Sequence, residues 1–301
     1  MRNHSHRSPV TVTAVAAAVL GAATLTACDA AVQDAAVRKG AAASPAAKPT
    51  VRWDTTPRSI AAVGDSVTRG FDACSALADC PQASWATGSD SSVRSLAVRL
   101  LGKRKAKGQS WNHAVTGARM ADLRGQVEKA AAHRPELIAV MAGANDACKD
   151  SAAKMTPVAD FRAAFERAMD TLRDRLPKTQ VYVASVPNLK RLWSQGRTSP
   201  LGKQVWRLGI CPSMLADADA RDAKATKRRA KVQARVVAYN RVLKEVCGKD
   251  ALCRHDNGAV FNYRFSTAQL SHWDWFHPSR DGQSRLAEIA YRTVTAKKAV
   301  S

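Results

Sequence analysis

Short apolar runs alternate with longer amphipathic ones along most of this chain, and that alternation limits the folds open to it. "SIAAVG" (59–64), "SWNHAV" (110–115), "ELIAVMAG" (136–143), "TQVYVASVP" (179–187) and "AVFNYRF" (259–265) read as strands. Helical patterns separate them. "SVRSLAVRLLG" (92–102) carries an apolar stripe stopped by Gly102, and "ARMADLRGQVEKAAA" (118–132) is helical. "TPVADFRAAFERAMDTLRDRL" (156–176) is a long amphipathic helix, with Thr156 as cap and Pro157 at its first position. Residues 217–247 form a long basic helix, and 279–296 a closing one. Strands separated by helices predict a parallel sheet covered on both faces. In such sheets ligands bind beyond the carboxyl ends of the strands. Ser66, Gly117 and Asn145 each follow a different strand at such an end.

The opening residues set a domain boundary. Arg2 and Arg7 precede an uncharged run from Ser8 to Ala27 that ends in Leu25-Thr26-Ala27-Cys28. A basic start, an apolar stretch and small residues before a cysteine predict a lipoprotein signal over 1–27, with Cys28 the acylated mature N-terminus. A plain secretory signal is the next reading. A membrane-spanning anchor fits less well, because Thr, Gly and excess Ala make the run weakly apolar. Residues 28–56, rich in Ala with Pro45 and Pro49, read as a disordered tether. The folded domain is expected over 57–301. The expected location is outside the cytoplasm, lipid-anchored through Cys28 or secreted.

That location gives meaning to charge and cysteines. The formal net charge is +22, which favours polyanions such as anionic lipid headgroups or wall polymers. Nucleic acid is not expected, since no zinc-finger spacing, RNA-binding aromatic motif or repeat occurs. The basic residues of 217–247 fit a solvated helix face, with docking on an anionic membrane as the alternative. Besides Cys28 there are Cys74, Cys80, Cys148, Cys211, Cys247 and Cys253. An even number in an exported chain predicts three disulfides, and fifteen pairings are open. The shortest loops favour Cys74 with Cys80 and Cys247 with Cys253, leaving Cys148 for Cys211. No Cys-x-x-Cys occurs, so a structural zinc site is not expected.

A serine hydroxyl needs a base to become a nucleophile. Of the seven histidines, His277 in "DWFHPS" stands out, because Asp274 three residues earlier can share one tight helical turn with it and fix its tautomer. Pro278 suits the first turn of the closing helix. Acyl transfer also needs donors for a developing oxyanion. The Ser66 N–H, the Gly117 N–H and the Asn145 amide are candidates. Asp65 is read as a turn residue beside the nucleophile.

Taken in order, Gly64-Asp65-Ser66, "NHAVTGA", "GAND" and "DWFHPS" resemble the SGNH (GDSL) hydrolase family. The blocks span nearly the whole folded region, and their combination is specific where each alone is not. The resemblance implies a flavodoxin-like three-layer α/β/α sandwich with a parallel sheet. It also implies Ser66 as nucleophile, His277 as base with Asp274 behind it, and Ser66, Gly117 and Asn145 as the oxyanion hole. "GANDAC", "YNRVLKEVC", "FNYRF" and "SHWDWFHPS" resemble an actinobacterial branch similar to phospholipase-B-type lipases. Val67 stands where the family name has leucine, an apolar exchange that leaves the chemistry alone. The segment from 189 to 245 is longer than the minimal fold needs and reads as a lid or rim.

The expectation is therefore a monomeric serine esterase that cleaves lipid acyl esters without metal or cofactor. Deacetylation of carbohydrate is the alternative reaction. A non-catalytic, basic envelope-binding lipoprotein is the alternative of another class.

Overall fold

In the computed structural model, which describes residues 52–298, five strands lie parallel in one sheet. The chain runs from β1 (Ile60–Gly64) into α1 (Ser66–Arg69), then through α2 (Leu96–Leu101) and α3 (Lys103–Gln109) to β2 (Ser110–Asn112). It continues through α4 (Leu123–Ala131), β3 (Leu137–Met141), α5 (Ala144–Ala147), α6 (Val158–Arg175) and β4 (Gln180–Val183). The β4–β5 connection carries α7 (Leu189–Gly196), α8 (Pro200–Trp206), α9 (Pro212–Leu215) and α10 (Ala223–Cys247). The last elements are β5 (Cys253–His255), α11 (Ala259–Asn262) and α12 (Arg280–Thr295).

Strand order is β2-β1-β3-β4-β5, the flavodoxin-like order, whose direction reverses between β1 and β3. Right-handed crossovers then place the β1–β2 helices on one face and the later connections on the other. Accordingly, α12 packs on α2, β4 and β5, while α4, α6 and α10 pack side by side. Every residue of β1, β3 and β4 is buried, as expected of strands covered on both faces. The three-layer sandwich is thus present. The signal over 1–27, Cys28 and most of the 28–56 tether lie outside the described residues. Among the described residues, no helix is long and apolar enough to cross a membrane.

Several local expectations need correction. "AVFNYRF" is not the fifth strand. Gly258 adopts a left-handed φ of +83°, and the Asp256 carboxylate accepts the N–H groups of Gly258 and Val260, so a helical turn begins there. β5 instead holds Arg254, whose guanidinium donates to the Thr293 carbonyl (3.2 Å) and stacks on Trp53, so a charged residue sits in a strand. α6 begins at Val158, and Thr156 does not cap it; its N–H donates to the Asp146 carbonyl. The basic helix begins at Ala223, capped by the Asp222 carboxylate. Arg229 on that helix is only 2% exposed. Its guanidinium donates to the carbonyls of Asp217 and Ala220 and lies over the Trp193 ring, so this charge belongs to the interior. Cystines join Cys74 to Cys80, Cys148 to Cys211, and Cys247 to Cys253.

Candidate active site

The site begins where β1 ends. Gly64 has φ +146°, and a Cβ there would sit 2.0 Å from the Met141 carbonyl oxygen on β3. Only glycine fits this turn. The buried Gln126 side chain of α4 accepts the Gly64 N–H (2.7 Å) and donates to the Gly64 carbonyl (2.9 Å), filling the bonds the strand leaves open. Asp65 is the N-cap of α1, and its carboxylate accepts the Val67 N–H at 3.0 Å. Ser66 is therefore the first residue of α1, held at the carboxyl end of the sheet. From α12, Gln283 accepts the Trp85 N–H and donates to the Val67 carbonyl, locking α1 from the other side.

The 271–279 loop brings the imidazole to this serine. Nε2 of His277 lies 2.8 Å from Ser66 Oγ. Nδ1 lies 2.5 Å from Asp274 Oδ2. The other carboxylate oxygen of Asp274 accepts the N–H groups of Phe276 and His277, each at 2.9 Å. Asp274 and His277 do not share a helical turn. They close an irregular turn in which Trp275 has φ +51°, and α12 starts later, capped by Ser279. Pro278 instead bridges back to Leu270. The rings of Phe71 and Phe276 flank the imidazole at 5.0 and 5.3 Å.

The electrostatics follow from this packing. Burial opposes charge on both partners. Even so, the Asp274 carboxylate holds His277 above its ordinary value, and the His277 charge with its hydrogen bond keeps Asp274 below the usual carboxylate range. Asp65 differs: burial, partly offset by the Val67 N–H and the His277 charge, pushes it up to about 7.

On β3's side, Asn145 donates through Nδ2 to the Ala118 carbonyl at 2.9 Å, leaving its second amide hydrogen to point elsewhere. Gly117 is exposed and has φ +84°, with open space where a Cβ would lie. Here the backbone angle, rather than crowding, calls for glycine. No protein acceptor for the Ser66 N–H or the Gly117 N–H occurs among the described residues. Asp146, buried behind Asn145, accepts the Met120 N–H at 2.8 Å and fixes the two loops together.

Four contributors were not legible in the sequence: Gln126, Gln283, Trp206 and Asp72. Trp206 of α8 donates its indole N–H to the Asp274 carbonyl at 2.7 Å. Gly196 and Gly202 let α7 and α8 press on Trp275. The long connection after β4 is thus a buttress for the Asp274 turn. Asp72 is 1% exposed and lies close to Asp274 and His277; one side-chain atom from each of the three lies within 4.8 Å of the others. Such a trio could ligate a cation, but the ring nitrogens of His277 are engaged with Asp274 and Ser66. A hydroxyl, an imidazole and a carboxylate in series can pass a proton and activate the hydroxyl for acyl transfer.

A family model described as GDSL-like Lipase/Acylhydrolase matches residues 60–290. Among solved structures, one from Parabacteroides merdae described as a GDSL-like lipase is 15% identical, covering 83% of this chain and 100% of its own, with a TM-score of 0.49. Phospholipase A1 from Streptomyces albidoflavus is 18% identical, covering 80% and 100%, with a TM-score of 0.45. A carbohydrate esterase is 14% identical, covering 80% and 69%, with a TM-score of 0.43. No curated protein matches.

Proposed function

The chain belongs to the GDSL-like lipase/acylhydrolase family, and from that premise we propose that it hydrolyses lipid acyl esters through an acyl-enzyme on Ser66. Ser66 Oγ attacks the ester carbonyl while Nε2 of His277 takes its proton. Asp274 stabilises the imidazolium. The Ser66 N–H, the Gly117 N–H and the free Asn145 amide hydrogen receive the negative oxygen. His277 then protonates the departing alcohol, and water repeats the cycle to release the acid. The single observation that carries this reading is the unbroken chain from Ser66 through His277 to Asp274, at 2.8 and 2.5 Å.

Two features support lipid as the acyl source. An apolar cleft beside His277 is lined by Val67, Leu189, Leu192, Phe265, Leu270 and Phe276. Its free volume is about 20 Å³, so a long acyl chain must part these side chains or lie along the surface. The exposed large apolar residues Leu77, Val115, Leu201, Leu208, Val237 and Trp273 all lie in connections outside the strands, where they could meet a lipid surface. The lipoprotein-like Cys28 would tether the enzyme beside such a surface. Mass spectrometry of the mature N-terminus tests that anchor; an unmodified or absent Cys28 defeats it.

A panel of esters tests the substrate, running from acetyl to long acyl chains and including a phospholipid and an acetylated sugar. Preference for longer acyl chains is the expected result. Preference for acetyl groups would move the assignment to carbohydrate esters.

A further inference from the structure

Asp72 takes no part in the proton transfer just described, yet it is among the most thoroughly buried carboxyl groups of the described residues. It follows α1 and has φ +57°. Its carbonyl accepts the Ser271 hydroxyl at 2.7 Å, which joins this loop to the one that carries Asp274 and His277. Its Oδ1 accepts the Leu77 N–H at 2.5 Å. Its Oδ2 is buried with no donor in reach among the described residues. A buried carboxylate oxygen without a donor is costly, whereas a protonated one becomes a donor itself. The neighbouring carboxyl is Asp274, with an oxygen within 4.8 Å of one of Asp72's; its side chain is fully buried and is already the acceptor for His277.

We propose that Asp72 is a positioning residue for the Ser66–His277–Asp274 chain: when protonated its carboxyl hydrogen-bonds Asp274 and holds that carboxylate against His277, and when ionised its charge sets the pH at which His277 becomes a free base. Two adjacent buried carboxyls cannot both ionise cheaply, so one of them retains a proton. Asp274 receives three donors from the His277 turn and keeps its charge. Of the two, Asp72 is therefore the one that takes the proton, as burial and the neighbouring Asp274 push it up to about 6, and above that pH it is charged. When Asp72 does ionise, its charge adds to those of Asp274 and Asp65 in retaining a proton on His277. Asp65 in turn feels Asp146, and Asp274, Asp72 and Asp65 all act on the imidazole. In this way Asp72 would couple the basicity of His277 to a group that never touches substrate.

The inference rests on the reading of Ser66, His277 and Asp274 as the reacting groups. The test uses the purified enzyme and a soluble short-chain p-nitrophenyl ester, with pH profiles of kcat and kcat/KM for wild type, Asp72→Asn and Asp72→Ala. Asparagine still accepts the Leu77 N–H and donates permanently to Asp274, but carries no charge. Asp72→Asn should keep KM, and kcat within about threefold at high pH, while the acid limb moves down by about 0.5 pH unit or more. Asp72→Ala should lose about tenfold or more in kcat with KM little changed. An Asp72→Asn profile superimposable on wild type would reduce Asp72 to a loop-holding residue and overturn the inference, whether or not the alanine variant folds. Absence of hydrolysis by wild type would strike the functional reading instead, so the two failures are told apart.

Discussion

The Ser66 hydroxyl lies 2.8 Å from Nε2 of His277, although 211 positions separate the two residues in the chain. Such a contact has one chemical use that no turn or cap supplies: removal of the hydroxyl proton during attack. Ser66→Ala should therefore lower ester hydrolysis by roughly 10⁴–10⁶-fold and abolish labelling by a fluorophosphonate probe. Labelling that persists in the variant would assign the nucleophile to another residue.

The same pair fixes the direction of the pH response. Burial lowers the basicity of His277, but the charge and hydrogen bond of Asp274 outweigh it, so the ring loses its proton above the ordinary histidine value of 6.5. Attack requires the neutral ring. The rate constant kcat/KM should rise with pH along an acid limb whose midpoint lies above 6.5. A steady-state profile with that midpoint below 6 would contradict the Asp274–His277 arrangement.

Asn145 offers one amide hydrogen to Ala118 and keeps the other. If the free one meets the oxyanion, Asn145→Ala should cost about 2.7–4 kcal/mol in the barrier, read as a loss in kcat with KM nearly unchanged. An unaltered kcat would leave Asn145 as a tie between the β3 loop and the 113–118 loop.

The readability of these groups from sequence follows the length scale of their contacts. β1, β3 and β4 announce themselves because strands buried on both faces must be continuously apolar. Ser66, Gly117 and Asn145 follow from that, since a parallel sheet collects its strand ends at one edge. β5 was hidden because Arg254 can occupy a strand only where carbonyls such as that of Thr293 receive it, and those belong to a helix far along the chain. Asp72, Gln126 and Trp206 were hidden for the same reason. Each acts through long-range hydrogen bonds or approaches, and periodicity carries no record of them. The Asp274–His277 spacing suggested a helical turn, but two N–H bonds to one carboxylate oxygen produced an irregular loop instead.

Trp206 tests whether the long β4–β5 connection steadies the Asp274 turn. Its indole N–H meets the Asp274 carbonyl at 2.7 Å within the interior. Trp206→Phe keeps most of the aromatic bulk and removes the donor, leaving a buried carbonyl unpaired. That should cost about 1–3 kcal/mol in stability by thermal or urea unfolding, with kcat lowered several-fold and the acid limb of its pH profile displaced. Loss of stability with an unchanged kcat and pH profile would confine Trp206 to packing.

Asp65 gives the fold itself a pH dependence. Burial raises this carboxyl from 3.8 to about 7, against the lowering effects of the Val67 N–H and the His277 charge. A raised carboxyl means that the folded state holds a proton which the unfolded chain releases once pH exceeds about 4. The contribution to stability is complete below that pH and is lost as pH climbs through 7, the reverse of a salt-bridged aspartate. Asparagine at this position still accepts the Val67 N–H as a helix cap but has no proton to lose. Asp65→Asn should therefore gain on wild type as pH rises from 4.5 to 8, by at most roughly 4 kcal/mol. Thermal unfolding of both proteins across that range reads the difference directly, which cancels slopes common to the other titrating groups. A wild-type-minus-variant difference that stays constant with pH would mean Asp65 is ionised in the folded protein, and its only work there would be to cap α1.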